Sequence, residues 1–461
     1  MAKLVWRVRL IAELEPGIVS EAEVARIERD DFAVAETIGL TLNEGKRLMA
    51  AAQAEIVRVQ VAAMGERFRW CEDCGAKLVS KGYYPATFRS VFGDVAVRVR
   101  RLCACGCRTG KQEPKSFSAL AVTDAIAPEL AYITSKFAAL SPFARVADLL
   151  SELLPIGGAA NAGTVRNRTM RVGETVAKFT PADAPTLESD AVTPAVIVGL
   201  DGGYVRSRHR RPEHNFEVIA GKVIGPDGAQ HRFAFARNGA SEEQFAGALV
   251  RAGVRDGTPA TVLSDGDTGL RNLQSRVLPE ATVVLDWFHI AMRFEHVLNA
   301  ATGLGAATVD AYLGEMARRD IERAKWRLWH SRWKGCLIKL ASISRWTEAK
   351  HVRDVEGVAA LRRHLRDLLV YLEANQSALV NYGARYRRGE PISTAFVESA
   401  INEIIARRMI KKQQMRWNRW TVQPFLDVRV AVLDGTLEGS FRRLYPDFRP
   451  ANDAGPISAT A

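Results

Sequence analysis

No stretch of the 461-residue chain approaches the roughly 20 apolar residues that a membrane-crossing helix needs, so the sequence gives no reason to place it in a bilayer. The first residues do not read as a secretory leader either. "MAKLVWRVRLIAELE" alternates Leu4, Trp6, Val8 and Leu10 with Val5, Arg7 and Arg9, a strand pattern with charges inside it rather than an unbroken apolar core. A cytoplasmic protein is expected. The six cysteines are then reduced thiols or metal ligands rather than disulfides. No internal repeat or low-complexity tract stands out. Acidic residues are in deficit, 52 against 64 Lys plus Arg, which gives a formal charge of +12 and a pI near 9.5. An excess of that sign and size favours nucleic acid or another anionic surface as partner. Apolar residues make up 47% of the chain, which excludes wholesale disorder and allows a large core; the length suits two to four domains.

The patterning divides the chain. Residues 1–65 hold the N-terminal strand and then read as helix from about 20, with Leu42, Leu48, Ile56 and Val59 among charged residues. Residues 66–118 concentrate cysteines and β-type alternation, as in "DVAVRVRRL". Residues 119–178 are helical, and 179–194, rich in Pro, Ala and Asp, form a linker. From 195 to 289 come three apolar runs, "AVIVGLD", "FEVIAGKVIG" and "HRFAFAR", then helix, strand, helix and strand. Periodicity establishes α/β here, and the order of elements matches an RNase H-like mixed sheet flanked by helices. Residues 290–390 read as a helical insertion, 391–448 as C-terminal helices of the same core, and 449–461 as a tail. The expected architecture is therefore multidomain α/β: an RNase H-like mixed sheet with a long helical insertion, preceded by a zinc β-ribbon and a helix-turn-helix-like domain.

Three aspartates follow apolar strand runs: Asp201, Asp265 and Asp286. Open α/β sheets carry their chemistry beyond strand ends, and carboxylates grouped there repel one another unless a divalent cation lies between them. Mg²⁺ (or Mn²⁺) takes oxygen ligands and keeps room for water and phosphate oxygens. Glu398, in "FVESAINEIIARRM", lies about 60° round the helix from Ile401, at the margin of an apolar stripe, and can point along the sheet. Arg206, Arg208, Arg210 and Arg211 follow Asp201, and Arg407, Arg408, Lys411, Lys412 and Arg416 follow Glu398; these bases suit phosphates, with Glu403 as a solvated partner.

"CEDCG" at 71–75 and "CACGC" at 103–107 put two cysteine pairs on tight turns, as a tetrahedral zinc in a β-ribbon requires. Cys71 and Cys74 form the first pair. Cys105 and Cys107 are preferred for the second because Gly106 eases the turn, with Cys103 as the alternative. Cys336 is expected in a core. "SPFARVADLLSELLP…NAGTVRNRTMRVGE" reads as helix, turn, helix, with Arg166, Asn167 and Arg168 expected on the exposed face of the second helix. Trp326, Trp329 and Trp333 recur at helical spacing, a core pattern from which one ring could stack on a base.

The strings "GLDGGYVR", "SDGD", "VLDWFHIAMR", "WRLWH" and "ISTAFVESAINEIIARRMIKKQQMRW…DVRVAVLDG" closely resemble the ISKra family of bacterial insertion-sequence transposases, DDE enzymes related to Mutator-like elements. The resemblance covers about 65–448. It implies that Asp201, Asp265 and Glu398 are the catalytic, metal-binding carboxylates, and that Asp286 and His289 form an accessory D-x-x-H signature. Asp267 and Asp286 remain alternatives to Asp265, which directly ends its strand. "NRWTVQPFLDVR" departs from the small turn the family pattern has. The implied activity is two-metal cleavage at element ends to free a 3′-OH, followed by its joining to target DNA. The implied partners are terminal inverted repeats, target DNA and at least a second copy of the chain, in a bacterial, nucleoid-associated setting. An inactive DNA-binding derivative of a transposase and an RNase H-like nuclease are the alternatives.

Overall fold

A computed structural model of the chain describes residues 3–14, 17–30, 34–103, 105–109, 116–118, 126–156, 160–178, 195–209, 214–306, 311–410 and 415–449. The linker 179–194, Arg210, Arg211, Lys411, Lys412 and nearly all of the tail lie outside the described residues. The chain divides into two compact units, Met1–Val176 with Gly435–Ala461, and Ala177–Asp434. No helix among the described residues is long and apolar enough to cross a membrane.

The first unit opens with an antiparallel hairpin, β1 (Leu4–Leu14) and β2 (Gly17–Arg29). The helix expected from about residue 20 therefore starts only at Leu42, as α1 (Leu42–Arg67). Diagonal ion pairs cross the hairpin: Arg9 meets Glu21 at 3.0 Å and Arg7 meets Glu23 at 4.0 Å. Thr41 and Glu44 close a capping box on α1, and Arg29, 8% exposed, grips both Glu44 oxygens at 2.7 Å, tying hairpin to helix. Next come β3 (Ser80–Ser90), β4 (Gly93–Cys103), the short helix α2 (Gly106–Thr109) and β5 (Ser116–Ser118), with the strands in an antiparallel sheet ordered β3-β4-β5. Helices α3 (Pro128–Leu140), α4 (Phe143–Leu153) and α5 (Ala162–Val176) follow. The last helix among the described residues, Leu437–Leu444, belongs to the same unit: Phe441 and Phe448 pack edge-on against Tyr132, with ring centroids 5.4 and 5.3 Å away.

The second unit is built on a five-stranded mixed sheet: β6 (Val196–Arg206), β7 (Asn215–Ile224), β8 (Gln230–Ala236), β9 (Ala260–Ser264) and β10 (Thr282–Leu285), in the order β10-β9-β6-β7-β8. β6, β7 and β8 form an antiparallel meander, while β9 and β10 run parallel to β6. Alternate residues of β6, Val196, Val198 and Leu200, are buried with Phe245 and Leu249 of α6 (Ser241–Arg251) and Leu270 and Leu273 of α7 (Thr268–Val277). After β10 the chain enters a helical layer of α8 (Trp287–Ala306), α9 (Ala311–Trp329), α10 (Trp333–Trp346), α11 (Val358–Ala374) and α12 (Tyr382–Arg387). Its core joins Ile290, Phe294, Leu340, Leu365 and the buried Cys336 to Leu263 and Val284 of the sheet. The long C-terminal helix is interrupted: α13 (Ala395–Ile401), a π turn at Asn402–Ala406 and α14 (Arg407–Met409) run in succession, followed by α15 (Gln423–Leu433). The helix at Leu437–Leu444 is α16.

Candidate active site and metal centre

Asp201 does not end its strand. β6 continues to Arg206 because its pairing with β7 runs on to Arg206–Asn215. Only the other edge opens at this level, since the β6/β9 ladder stops at Gly199–Leu263 and the β9/β10 ladder at Ser264–Leu285. Carrying those registers forward brings Asp201, Asp265 and Asp286 level with one another. Pleat alternation puts Asp201 on the face of Gly199, and Asp265 and Asp286 each follow directly on the last residue of their strands. Proximity appears in their electrostatics. Burial pushes the Asp201 carboxyl above its ordinary range; the Gly202 N–H, donating to Oδ1 at 2.7 Å, opposes this, the charges of Asp265 and Asp286 add to it, and His289 counters.

Asp286 is fully buried, yet its carboxyl is held below the ordinary range. Burial would raise it, but three donors outweigh that: His289 Nδ1 at 2.6 Å, the Thr394 hydroxyl, and the Phe288 N–H at 2.7 Å. His289 is raised in turn, first by its bond to Asp286 against the effect of burial, then by the charges of Asp286, Asp265 and Asp201. With Nδ1 engaged, Nε2 is the nitrogen that remains for a further partner. Asp286 is thus a hub: it joins α8 to the segment leading into α13, where the Thr394 carbonyl accepts the Glu398 N–H at 2.9 Å. Asp267 is occupied as the N-cap of α7, accepting from Gly269 and Leu270 at 2.8 and 3.0 Å. Asp265 Oδ1 accepts the Asp267 N–H at 2.9 Å.

Two glycines admit the helix that carries Glu398. A Cβ on Gly199 would lie 2.0 Å from Val397 Cγ2, and one on Gly203 2.9 Å from Ile405 Cδ1. Gly199 and Gly203 flank Asp201 on its own face, so the helix lies directly on the strand where Asp201 projects. Glu398 itself is exposed. The donor set of this region is hard oxygen, as a magnesium site requires, although the carboxylates are not gathered as tightly as the thiols described next.

Among the described residues, one group of three or more ligand atoms lies mutually within 4.8 Å: Cys71, Cys74, Cys105 and Cys107. Sγ of Cys71 and Cys107 are 3.5 Å apart, and those of Cys74 and Cys105 are 3.4 Å apart. A tetrahedron with Zn–S of about 2.3 Å has sulfur–sulfur edges of about 3.8 Å, so the four thiols fit zinc. Backbone N–H groups of Asp73 and Cys74 point at Cys71 and lower its thiol to about 7, favouring the thiolate a metal binds. Cys103 lies outside the group, on β4 with its backbone paired with Ser116.

The predicted phosphate contacts divide. Arg206 and Arg208 are exposed, and Arg416 is brought beside them because the backbone of Trp417 bonds to Arg206 and Arg208 at 2.9 and 2.7 Å. Arg407 is exposed and Arg166 half-exposed. Arg168 and Arg408 require correction. Arg168 is 7% exposed and donates to Thr134 Oγ1 at 3.0 Å, so it holds α5 to α3. Arg408 is fully buried beneath Trp417 and Phe425, and burial pushes its guanidinium down to about 9. Glu403 pairs with Arg232 of β8 at 2.9 Å instead of with the neighbouring bases. Trp329 packs between Trp287 and Tyr382, while Trp326 is 60% exposed. Thr394 escaped sequence reasoning, though a threonine immediately before an apolar helical run is an N-terminal signal. Tyr371 and Tyr382, taken up below, left no such mark.

No family model matches the chain, and no curated protein does. Among solved structures it is similar to a Drosophila P element transposase strand transfer complex, at 11% identity and a TM-score of 0.34, over 68% of this chain and 93% of that one.

Proposed function

We propose that the chain is a DDE-type DNA transposase with an RNase H-like catalytic core, of the kind its motifs resemble. The observation that supports this reading is the register that, carried forward, brings Asp201, Asp265 and Asp286 level, with the helix bearing Glu398 packed on the strand of Asp201. Asp201, Asp265 and Glu398 would hold Mg²⁺ or Mn²⁺. Bound there, such ions supply a nucleophile at neutral pH and stabilise charge on the leaving oxygen. Asp286 keeps α8 and α13 together, and His289 offers Nε2 to a phosphate oxygen beside the carboxylates. Arg206, Arg208, Arg407 and Arg416 hold the DNA backbone without reading sequence. The zinc ribbon of residues 66–118 and the helices of 119–178, with Arg166 presented, recognise the element's terminal repeats. The reaction is hydrolysis that frees a 3′-OH, then in-line attack by that hydroxyl on target DNA, with two copies of the chain bringing two ends together.

The test compares wild type with Glu398→Gln on a plasmid carrying the gene's own flanking DNA, with Mg²⁺ supplied or withheld, scoring new 3′-OH ends. Cleavage at a defined flank that needs both Glu398 and the metal is the expected result. Binding to the flanks without cutting by wild type would instead support a DNA-binding relic.

A further inference from the structure

Two carbonyls where the parallel ladders end, one on the last residue of β10 and one just past β9, are each capped from the helical layer. Tyr371, on α11, donates its hydroxyl to the backbone carbonyl of Asp265 at 2.8 Å. Tyr382, on α12, donates to the carbonyl of Leu285, the residue before Asp286, at 2.9 Å. These bonds bridge 106 and 97 residues of sequence. Each phenol is itself locked. Arg293 stacks on the Tyr371 ring at 4.0 Å, and Tyr382, fully buried, packs its ring against Trp287 at 4.8 Å. The turn after Asp265 is clasped by the same layer. Asn375, 2% exposed, bonds to the Tyr371 carbonyl at 2.9 Å and to Arg271 at 2.8 Å. Gly266, at φ +90°, is pressed so close to Asn375 that a Cβ would lie 2.9 Å from its amide.

A packing layer has no need of this arrangement. Phenylalanine fills the same space, and a buried hydroxyl is retained at the cost of desolvation unless it has a partner. Here both partners are peptide groups at or next to site carboxylates, and the tyrosines bond to their carbonyls from a different layer.

We infer that Tyr371 and Tyr382 are positioning residues, through which the helical insertion fixes the backbone of the strand ends carrying Asp265 and Asp286 and so sets the site's affinity for its divalent cation. This rests on the reading of Asp201, Asp265 and Glu398 as a metal site. Tyr371 reaches it through the peptide of Asp265, and Tyr382 through Asp286, whose bond to Thr394 anchors the start of the Glu398 helix. Neither tyrosine touches the metal or the DNA. Each acts through a main-chain carbonyl, and removing a supporting partner of that kind weakens metal binding roughly 10-fold.

The experiment titrates Mn²⁺ into the full-length, zinc-loaded protein and follows free Mn²⁺ by electron paramagnetic resonance. Wild type, Asp201→Asn, Tyr371→Phe and Tyr382→Phe are compared, with melting temperatures measured alongside. The expected result is a wild-type site abolished by Asp201→Asn, and a half-saturating Mn²⁺ concentration raised roughly 10-fold in both phenylalanine variants at unchanged stoichiometry. Should one variant fail to fold, the other carries the test. An Asp201-dependent site whose midpoint does not move in the tyrosine variants would overturn the inference and leave the metal reading standing. No Asp201-dependent binding in wild type would overturn both.

Discussion

Gly199→Ala adds one methyl group where the helix bearing Glu398 rests on the sheet. The new Cβ would meet Val397 Cγ2 at 2.0 Å and Phe396 Cζ at 2.7 Å, against a normal carbon–carbon contact of about 3.5 Å. Val397 is fully buried and cannot swing away, so the helix must move outward by roughly 1.5 Å or the strand must yield. Overpacking of this kind costs about 1–3 kcal/mol of stability. The effect on chemistry is larger in proportion, because misplacing a reacting group by about 1 Å can cost 10²-fold, close to 2.7 kcal/mol of barrier. Gly247→Ala, inside α6 with its nearest neighbour 3.5 Å away, serves as the control and is expected to stabilise by about 0.5–1 kcal/mol. Chemical denaturation and the flank-cleavage assay, run side by side, separate the two effects. Gly199→Ala that loses stability but cleaves at the wild-type rate would refute the coupling of helix position to chemistry. Unchanged stability would refute the packing argument itself.

Zinc analysis should find one ion per chain, lost in Cys74→Ser and retained in Cys103→Ser, and Co²⁺ substitution should give tetrahedral thiolate absorption. Arg206→Ala and Arg416→Ala should each lower the slope of log affinity against log salt by about 0.9, while Arg168→Ala should leave that slope alone and lower the melting temperature. Burial raises the Asp427 carboxyl from 3.8 to about 6, so its contribution to stability is present below pH 4 and lost as pH rises through 6. Asp427→Asn should therefore be up to about 3 kcal/mol more stable than wild type at pH 8, with the gap closing by pH 4; equal unfolding curves at both pH values would contradict this.

The apolar runs ending in Leu200, Ser264 and Leu285 located the aspartates, and tight cysteine spacing located the thiol cluster, because both signals are local. What failed was whatever depends on distant partners. Asp201 looked terminal because the apolar run stops at Leu200, whereas β7 goes on pairing with the more polar residues that follow. Arg168 and Arg408 looked like surface bases because arginine is seldom fully buried. Thr134, from 34 residues away, and the rings of Trp417 and Phe425 make them exceptions. Glu21 and Glu23 read as helix until β1 supplied Arg9 and Arg7 diagonally across from them. Tyr371 had no legible role at all, since its hydrogen-bond partner is a carbonyl 106 residues upstream.

The threading of the chain bears on its synthesis. The aromatic seat at Tyr132 is made before the second unit, but Phe441 and Phe448, which fill it, emerge from the ribosome only after Ala177–Asp434, some 10–60 s later at 5–20 residues per second. The sheet with its aspartates can therefore close while the first unit still lacks its last helix. A stop codon just past Asp434 would leave every site carboxylate in the product and take away the final piece of the unit that holds the thiols.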